Sequence, residues 1–228
     1  MEKNKLSVKQ KIKIFILKHF NIFLLLSILG MFFISPALEG ITGNGYSQTL
    51  FFTIIFLSAV VAVKTNNNNL LIIALIISAY IWFDLLFFTH DERFSFTFFI
   101  ILIYFIYILI KLIIQLIKTE NVDSDVIMES INIYLIIGLV GAIVLNVVNH
   151  FIPGSINTIP AESGKFHDYL YFSFVTLTTL GYGDISPVLP MAKAVAVFLA
   201  IIGQFYIAIV MAFLISKFIS QKSSSQKD

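Results

Sequence analysis

Thr178-Thr179-Leu180-Gly181-Tyr182-Gly183-Asp184 is the stretch around which the chain is organised. An ordinary strand of L-residues points its carbonyls alternately to two sides. Glycine takes left-handed φ/ψ values at little steric cost, and Gly181 and Gly183 stand at every second position. Alternating hand rotates successive carbonyls to one side and so builds a ladder of oxygens. Such a ladder can replace the hydration shell of a small cation, which one or two ligands cannot. A glycine-rich turn between two helices would account for Gly-x-Gly alone. The two threonines, the tyrosine and the aspartate at fixed spacing favour the ladder.

Working outward, residues 168–177 form an apolar helical segment too short to span a bilayer, ending where the ladder begins. Asp168 falls in its first turn, where a carboxylate favours the positive end of the helix dipole. The opposite end then aims partial negative charge inward. Irregular backbone at membrane depth is tolerable only when enclosed by protein or lining water, so one ladder per chain implies several chains around one axis.

The composition suits a membrane. Of 228 residues 58% are hydrophobic and only 12% charged, with 24 Phe, against about a quarter charged in a soluble domain. Apolar runs at 20–34, 50–63, 70–88, 94–117, 131–152 and 191–219 predict six transmembrane helices at about 20 residues each, the second on the short side. Small residues at Ser35-Pro36-Ala37 would also suit a signal-peptide cleavage site. Apolar character already starting at Ile12 makes the stretch long for such a peptide, and a retained first helix is the preferred reading.

Orientation follows from the cations. With the N-terminus inside, Lys3, Lys5, Lys9, Lys11, Lys13, Lys18, Lys64, Lys111, Lys118, Lys217, Lys222 and Lys227 are cytoplasmic, and Arg93, Lys165 and Lys193 external. Twelve against three fits the positive-inside rule with both termini cytoplasmic. The expected organisation is a basic cytoplasmic N-terminus (1–18), a four-helix transmembrane domain (19–118), a cytoplasmic linker (119–130), a pore domain (131–219) and a cytoplasmic tail (220–228). No cysteine is present, so thiol and disulfide chemistry are excluded. His19, His90, His150 and His167 lack metal-ligand spacing, and a net charge of +2 gives no sign of nucleic-acid binding.

Thr179-Leu180-Gly181-Tyr182-Gly183 resembles the potassium-channel signature, a Thr-Val-Gly-Tyr-Gly loop contributed by each of four subunits. The resemblance implies an all-α membrane fold, with a re-entrant pore helix and filter between the fifth and sixth helices of a homotetramer. Thr179 would give its hydroxyl and carbonyl at the inner end, followed outward by the carbonyls of Leu180, Gly181, Tyr182 and Gly183. Leu180 replaces the usual valine, a packing change behind an unaltered carbonyl. Filter support would come from Tyr171 hydrogen-bonded to Asp184, from Thr176 as partner of the Tyr182 hydroxyl, and from Thr178. Val175 stands where some members have a buried glutamate.

The last helix resembles the pore-lining inner helix. Gly203, 24 residues after Thr179, stands at the spacing of a hinge glycine, with close packing as the equal alternative. Gln204 would face the cavity beneath the filter, and Ile207, Met211 and Ile215 follow on one face, the last two as an apolar constriction. Six spans with one pore loop, and no arginine series in the fourth helix, resemble bacterial potassium channels lacking a voltage sensor. Asp84, an intramembrane acid, is expected to meet water, His90 or Arg93 in a structural role.

The expected function is passive, potassium-selective conduction in a plasma or bacterial inner membrane, not steeply voltage-gated. Lipid is the surrounding partner, no nucleic acid or soluble-ligand domain is expected, and no cofactor beyond potassium as permeant ion. A less selective cation channel and a non-conducting modulatory subunit are the alternatives. An enzyme is not expected, because no paired carboxylates, Ser-His set or metal cluster converge at one membrane depth.

Overall fold

The computed structural model describes residues 8–42, 45–63, 69–87, 94–119, 122–157 and 166–225. Its helices are α1 (Val8–Phe33), α2 (Ser35–Thr42), α3 (Tyr46–Ala62), α4 (Asn69–Phe87), α5 (Phe94–Lys118), α6 (Ser124–Phe151), α7 (Phe166–Leu177) and α8 (Pro190–Ser225). Two-residue strands β1 (Ile156–Asn157) and β2 (Ser186–Pro187) pair antiparallel, a small ribbon that the all-α expectation lacked.

Among the described residues, four helices are long and apolar enough to cross a membrane, within α4, α5, α6 and α8. They become five if residues 21–33 and 35–41, bent by 48° at the α1–α2 break, count as one span. The bend falls beside Pro36, whose ring lacks an N–H and would crowd the carbonyl four residues earlier. The run at 50–63, expected to be a short span, falls in the 17-residue α3 up to its C-cap at Val63.

Helix ends differ from the expected boundaries for local reasons. The linker drawn at 119–130 is mostly helix, because the Asp123 carboxylate accepts from the Asp125 and Val126 N–H groups at 3.1 and 3.0 Å and so caps α6 at Ser124. α8 runs on to Ser225 through most of the supposed tail. Near its end Gln221 accepts from the Val122 N–H at 3.2 Å, and Lys217 donates to the Thr119 carbonyl. α1 likewise begins at Val8, inside the basic stretch.

α6 is the central element, touching α1, α5, α7 and α8. Most of its apolar stretch is buried inside the chain, against little of that of α8. Phe52, Phe56 and Phe105 cluster between α3 and α5, with Phe56 stacked on Phe105, Tyr104 donates to the Phe56 carbonyl at 2.9 Å, and Trp82 of α4 donates to Thr53 at 3.0 Å. Asp84 is buried and accepts from the Thr97 hydroxyl of α5 at 2.9 Å. Its expected partners His90 and Arg93 lie outside the described residues.

Candidate functional site

α7 is 12 residues long, with Asp168 in its first turn, and is seated by glycines of α6. A Cβ on Gly138 would stand 2.3 Å from the Phe174 ring, and one on Gly141 2.5 Å from the Ser173 hydroxyl oxygen. With neither Cβ present, Ser173 comes close enough to donate to the Gly138 carbonyl at 2.7 Å. The N-terminal end of α7 is tied as well: Asn149 of α6 donates to the Tyr169 hydroxyl at 2.8 Å and accepts from the Ile156 N–H at 3.2 Å. His167 lies 3.0 Å from the Glu39 carboxylate of α2 and 3.2 Å from the Ser35 hydroxyl.

Where α7 ends, the backbone alternates hand. φ is +60° at Thr179, +58° at Gly181 and +81° at Gly183. Leu180 and Tyr182 between them are not positive, and Thr179 is the one positive-φ residue other than glycine among the described residues. A β-branched residue pays roughly 1–2 kcal/mol for that conformation, so local contacts must hold it. The Thr179 N–H donates to the Thr176 carbonyl at 3.0 Å, the Gly181 N–H to the Val175 carbonyl at 3.3 Å, and the Gln204 amide to the Thr179 hydroxyl at 3.3 Å. Thr178 closes the helix end by donating from its hydroxyl to the Phe174 carbonyl at 2.7 Å.

Beyond the alternating segment, the Tyr171 hydroxyl donates to the Asp184 carboxylate at 2.6 Å, and the other carboxylate oxygen accepts from the Ile185 N–H at 3.0 Å. The tyrosine hydrogen bond, foremost, holds the Asp184 carboxyl below its ordinary range. The returning chain is stapled to α6 by the ribbon, in register Ile156 with Pro187, and by the Val188 N–H donating to the Ser155 carbonyl at 2.8 Å. Thr176 and Tyr182 are not brought together within the chain. The Tyr182 side chain is 68% exposed in the single chain.

On α8, a Cβ at Gly203 would lie 2.0 Å from the Leu177 carbonyl oxygen. Of the two expectations for this glycine, hinge or close packing, the geometry supplies the second, and α8 passes through it as continuous helix. Gln204, Ile207, Met211 and Ile215 are exposed in the single chain, as are 178–184.

One cluster went unnoticed in the sequence. Glu129, in the stretch expected to be a linker, is fully buried near the start of α6. Gln115 of α5 donates to its carboxylate at 2.8 Å and to the Ala62 carbonyl of α3 at 3.2 Å. Asn132 donates to the Asn21 carbonyl of α1 at 2.9 Å, and Tyr206 of α8 to the Ser130 carbonyl. The signal was available: Asp123 as an N-cap, with Val126 continuing the buried face of the helix.

Residues 132–220, which run from α6 through the alternating segment to α8, match the family model described as an ion channel. The two pore potassium channel c of Oryza sativa subsp. japonica is 35% identical over 65 residues, covering 28% of this chain. That stretch spans only 14% of the rice protein. No solved structure matches the chain. The matched region is thus similar to an ion-channel domain, and it lies among apolar, membrane-capable helices.

Proposed function

We propose that the chain is one subunit of a homotetrameric, potassium-selective channel with six spans per subunit and both termini cytoplasmic. The observation that carries this reading is the alternation of φ at Thr179, Gly181 and Gly183 directly after a helix too short to span. In the tetramer the Thr179 hydroxyl and the carbonyls of residues 179–183 form successive oxygen rings that replace the hydration shell of potassium. Irregular backbone and an exposed apolar α8 must be covered by other subunits or line water, which supports assembly around these elements. Gln204 and Ile207 then face the cavity, with Met211 and Ile215 near its cytoplasmic mouth. Lipid surrounds the outer helices of a cell membrane.

Six spans are supported by α3. Its start lies beside α2, where Ser47 donates to the Ser35 carbonyl at 3.1 Å, and its Ala62 end meets Gln115 beside Glu129. The 17-residue helix therefore runs between the two ends of the bundle. The likeness of a short stretch to a potassium channel of rice favours potassium as the ion.

Cation flux through the purified chain in liposomes tests the proposal. Potassium flux should far exceed sodium flux, and Gly181→Ala should abolish selective flux without abolishing assembly, because a Cβ at φ +58° strains the ladder while leaving helix contacts alone. Comparable sodium and potassium fluxes, or wild-type selectivity in Gly181→Ala, would refute it; absence of any flux would favour a non-conducting subunit.

A further inference from the structure

The innermost residue of the ladder is held from outside it. Gln204 of α8 donates from Nε2 to the Thr179 hydroxyl oxygen at 3.3 Å, across 25 residues of sequence. Its position is fixed from one residue away. Gly203 lets the α8 backbone pass so close to the end of α7 that a Cβ there would sit 2.0 Å from the Leu177 oxygen and 2.9 Å from the Leu177 carbonyl carbon. A helix pinned at 203 by a backbone contact presents residue 204 at a fixed height beneath the filter. Both polar groups are exposed in the single chain, on the side that opens to the central axis in the proposed tetramer.

We propose that Gln204 is a positioning residue for the innermost cation site: by donating to the Thr179 hydroxyl it sets how tightly that site holds a dehydrated cation. The proposal rests on the reading of residues 179–183 as an ion filter. A threonine hydroxyl has one proton and two acceptor lone pairs. The amide occupies one lone pair, so the oxygen keeps the second for an ion and its proton turns away from both. The same bond restrains a side chain whose backbone stands at φ +60°, a conformation uncommon for a β-branched residue. Without the amide the hydroxyl rotates among states, some of which present the proton to the ion path. Preorganisation is lost, and with it affinity.

Barium probes the site, since it is a divalent cation that must shed water to occupy oxygen rings built for potassium. Channels formed by the full chain are recorded in planar bilayers with barium added to each side in turn. Gln204→Leu and Gln204→Met, the second an unbranched replacement of similar length, should each raise the half-blocking concentration from the cavity side about two- to tenfold, the range for one neutral hydrogen bond. Gln204→Leu should keep this effect in a Thr179→Ser background, which retains the hydroxyl, and lose it in Thr179→Ala. A merely structural role for Gln204 would not depend on that hydroxyl. Half-blocking concentrations equal to wild type in both Gln204 variants, or an undiminished effect in Thr179→Ala, would overturn the proposal while leaving the filter reading intact. Wild-type channels without potassium selectivity would instead overturn the filter reading, and this proposal with it.

Discussion

Gly203→Ala separates two explanations of the same glycine. If the residue serves only as a flexible point, alanine should stabilise the helix by roughly 1 kcal/mol, the propensity difference in a helix interior. The geometry demands the opposite. The added Cβ would meet the Leu177 oxygen at 2.0 Å, whereas a carbon–oxygen contact settles near roughly 3.3 Å, so α8 must withdraw by about 1.3 Å. The obstacle is a backbone carbonyl at the end of α7, not the tip of a side chain that can rotate away. Overpacking costs about 1–3 kcal/mol, and the upper part of that range applies where backbone must move. Subtracting the propensity gain leaves a net loss of roughly 2 kcal/mol per subunit. A withdrawal of that size also carries Gln204 out of reach of Thr179, because the bond at 3.3 Å is already near the long limit. Thermal unfolding of the detergent-solubilised assembly, read beside potassium flux, should therefore show lower stability together with altered barium block. An equally or more stable Gly203→Ala with wild-type block would refute the packing argument and restore the hinge.

Two further predictions concern the outer support and the first four helices. Tyr171→Phe and Asp184→Asn should each hasten loss of conduction, and the double variant should be no worse than the worse single one, because both remove the bond at 2.6 Å; additive effects in the four-member cycle would show that the residues act separately. Asp184 has its folded pKa depressed below the ordinary value of 3.8, so its contribution is present in full above that value and lost as pH falls through the depressed one; conduction that failed already at pH 5 in wild type, but not in Asp184→Asn, would contradict this. Steep voltage gating needs several charges crossing together, each worth about 2.3 kcal/mol per 100 mV, and α5 offers only Lys111, packed 5.4 Å from the Tyr107 ring centroid, ahead of Lys118 in its last turn. Macroscopic currents should therefore lack a steep sigmoidal activation curve, and Lys111→Gln should leave their voltage dependence unchanged.

What could be read from the sequence is what backbone chemistry fixes locally. Two glycines at alternate positions decide the hand of the segment, and a ten-residue apolar stretch opened by Asp168 reads as a helix too short to span, which packing on α6 then stabilises. Thr179 at positive φ was not legible in the same way, because nothing in a threonine asks for that conformation; it is imposed by Thr176, by Gln204 and by the helix end before it. The expected Thr176–Tyr182 bond, which the single chain does not form, was not legible for a related reason. Spacing along one chain cannot tell which way an exposed ring turns when the surroundings of that ring lie beyond the chain.

The buried acid is the more instructive case. Glu129 stood in a polar stretch between two apolar runs, and charge there argues for a solvated linker. Its burial depends on Gln115 across 14 residues and on Ala62, which the same amide reaches across 53, and no local pattern encodes that meeting. The consequence reaches the role of the first half of the molecule. A carboxylate buried at the α3–α5–α6 junction is costly unless hydrogen-bonded, so these helix ends are bound to one another by polar contacts and cannot slide independently, as a purely lipid-facing scaffold could. One residue further along α6, the Ser130 carbonyl accepts from Tyr206 on α8, two positions beyond Gln204. A displacement of α3 or α5 can thereby reach α8 near Gln204, and in the proposed channel this junction offers a route by which the first helices influence conduction without carrying gating charge.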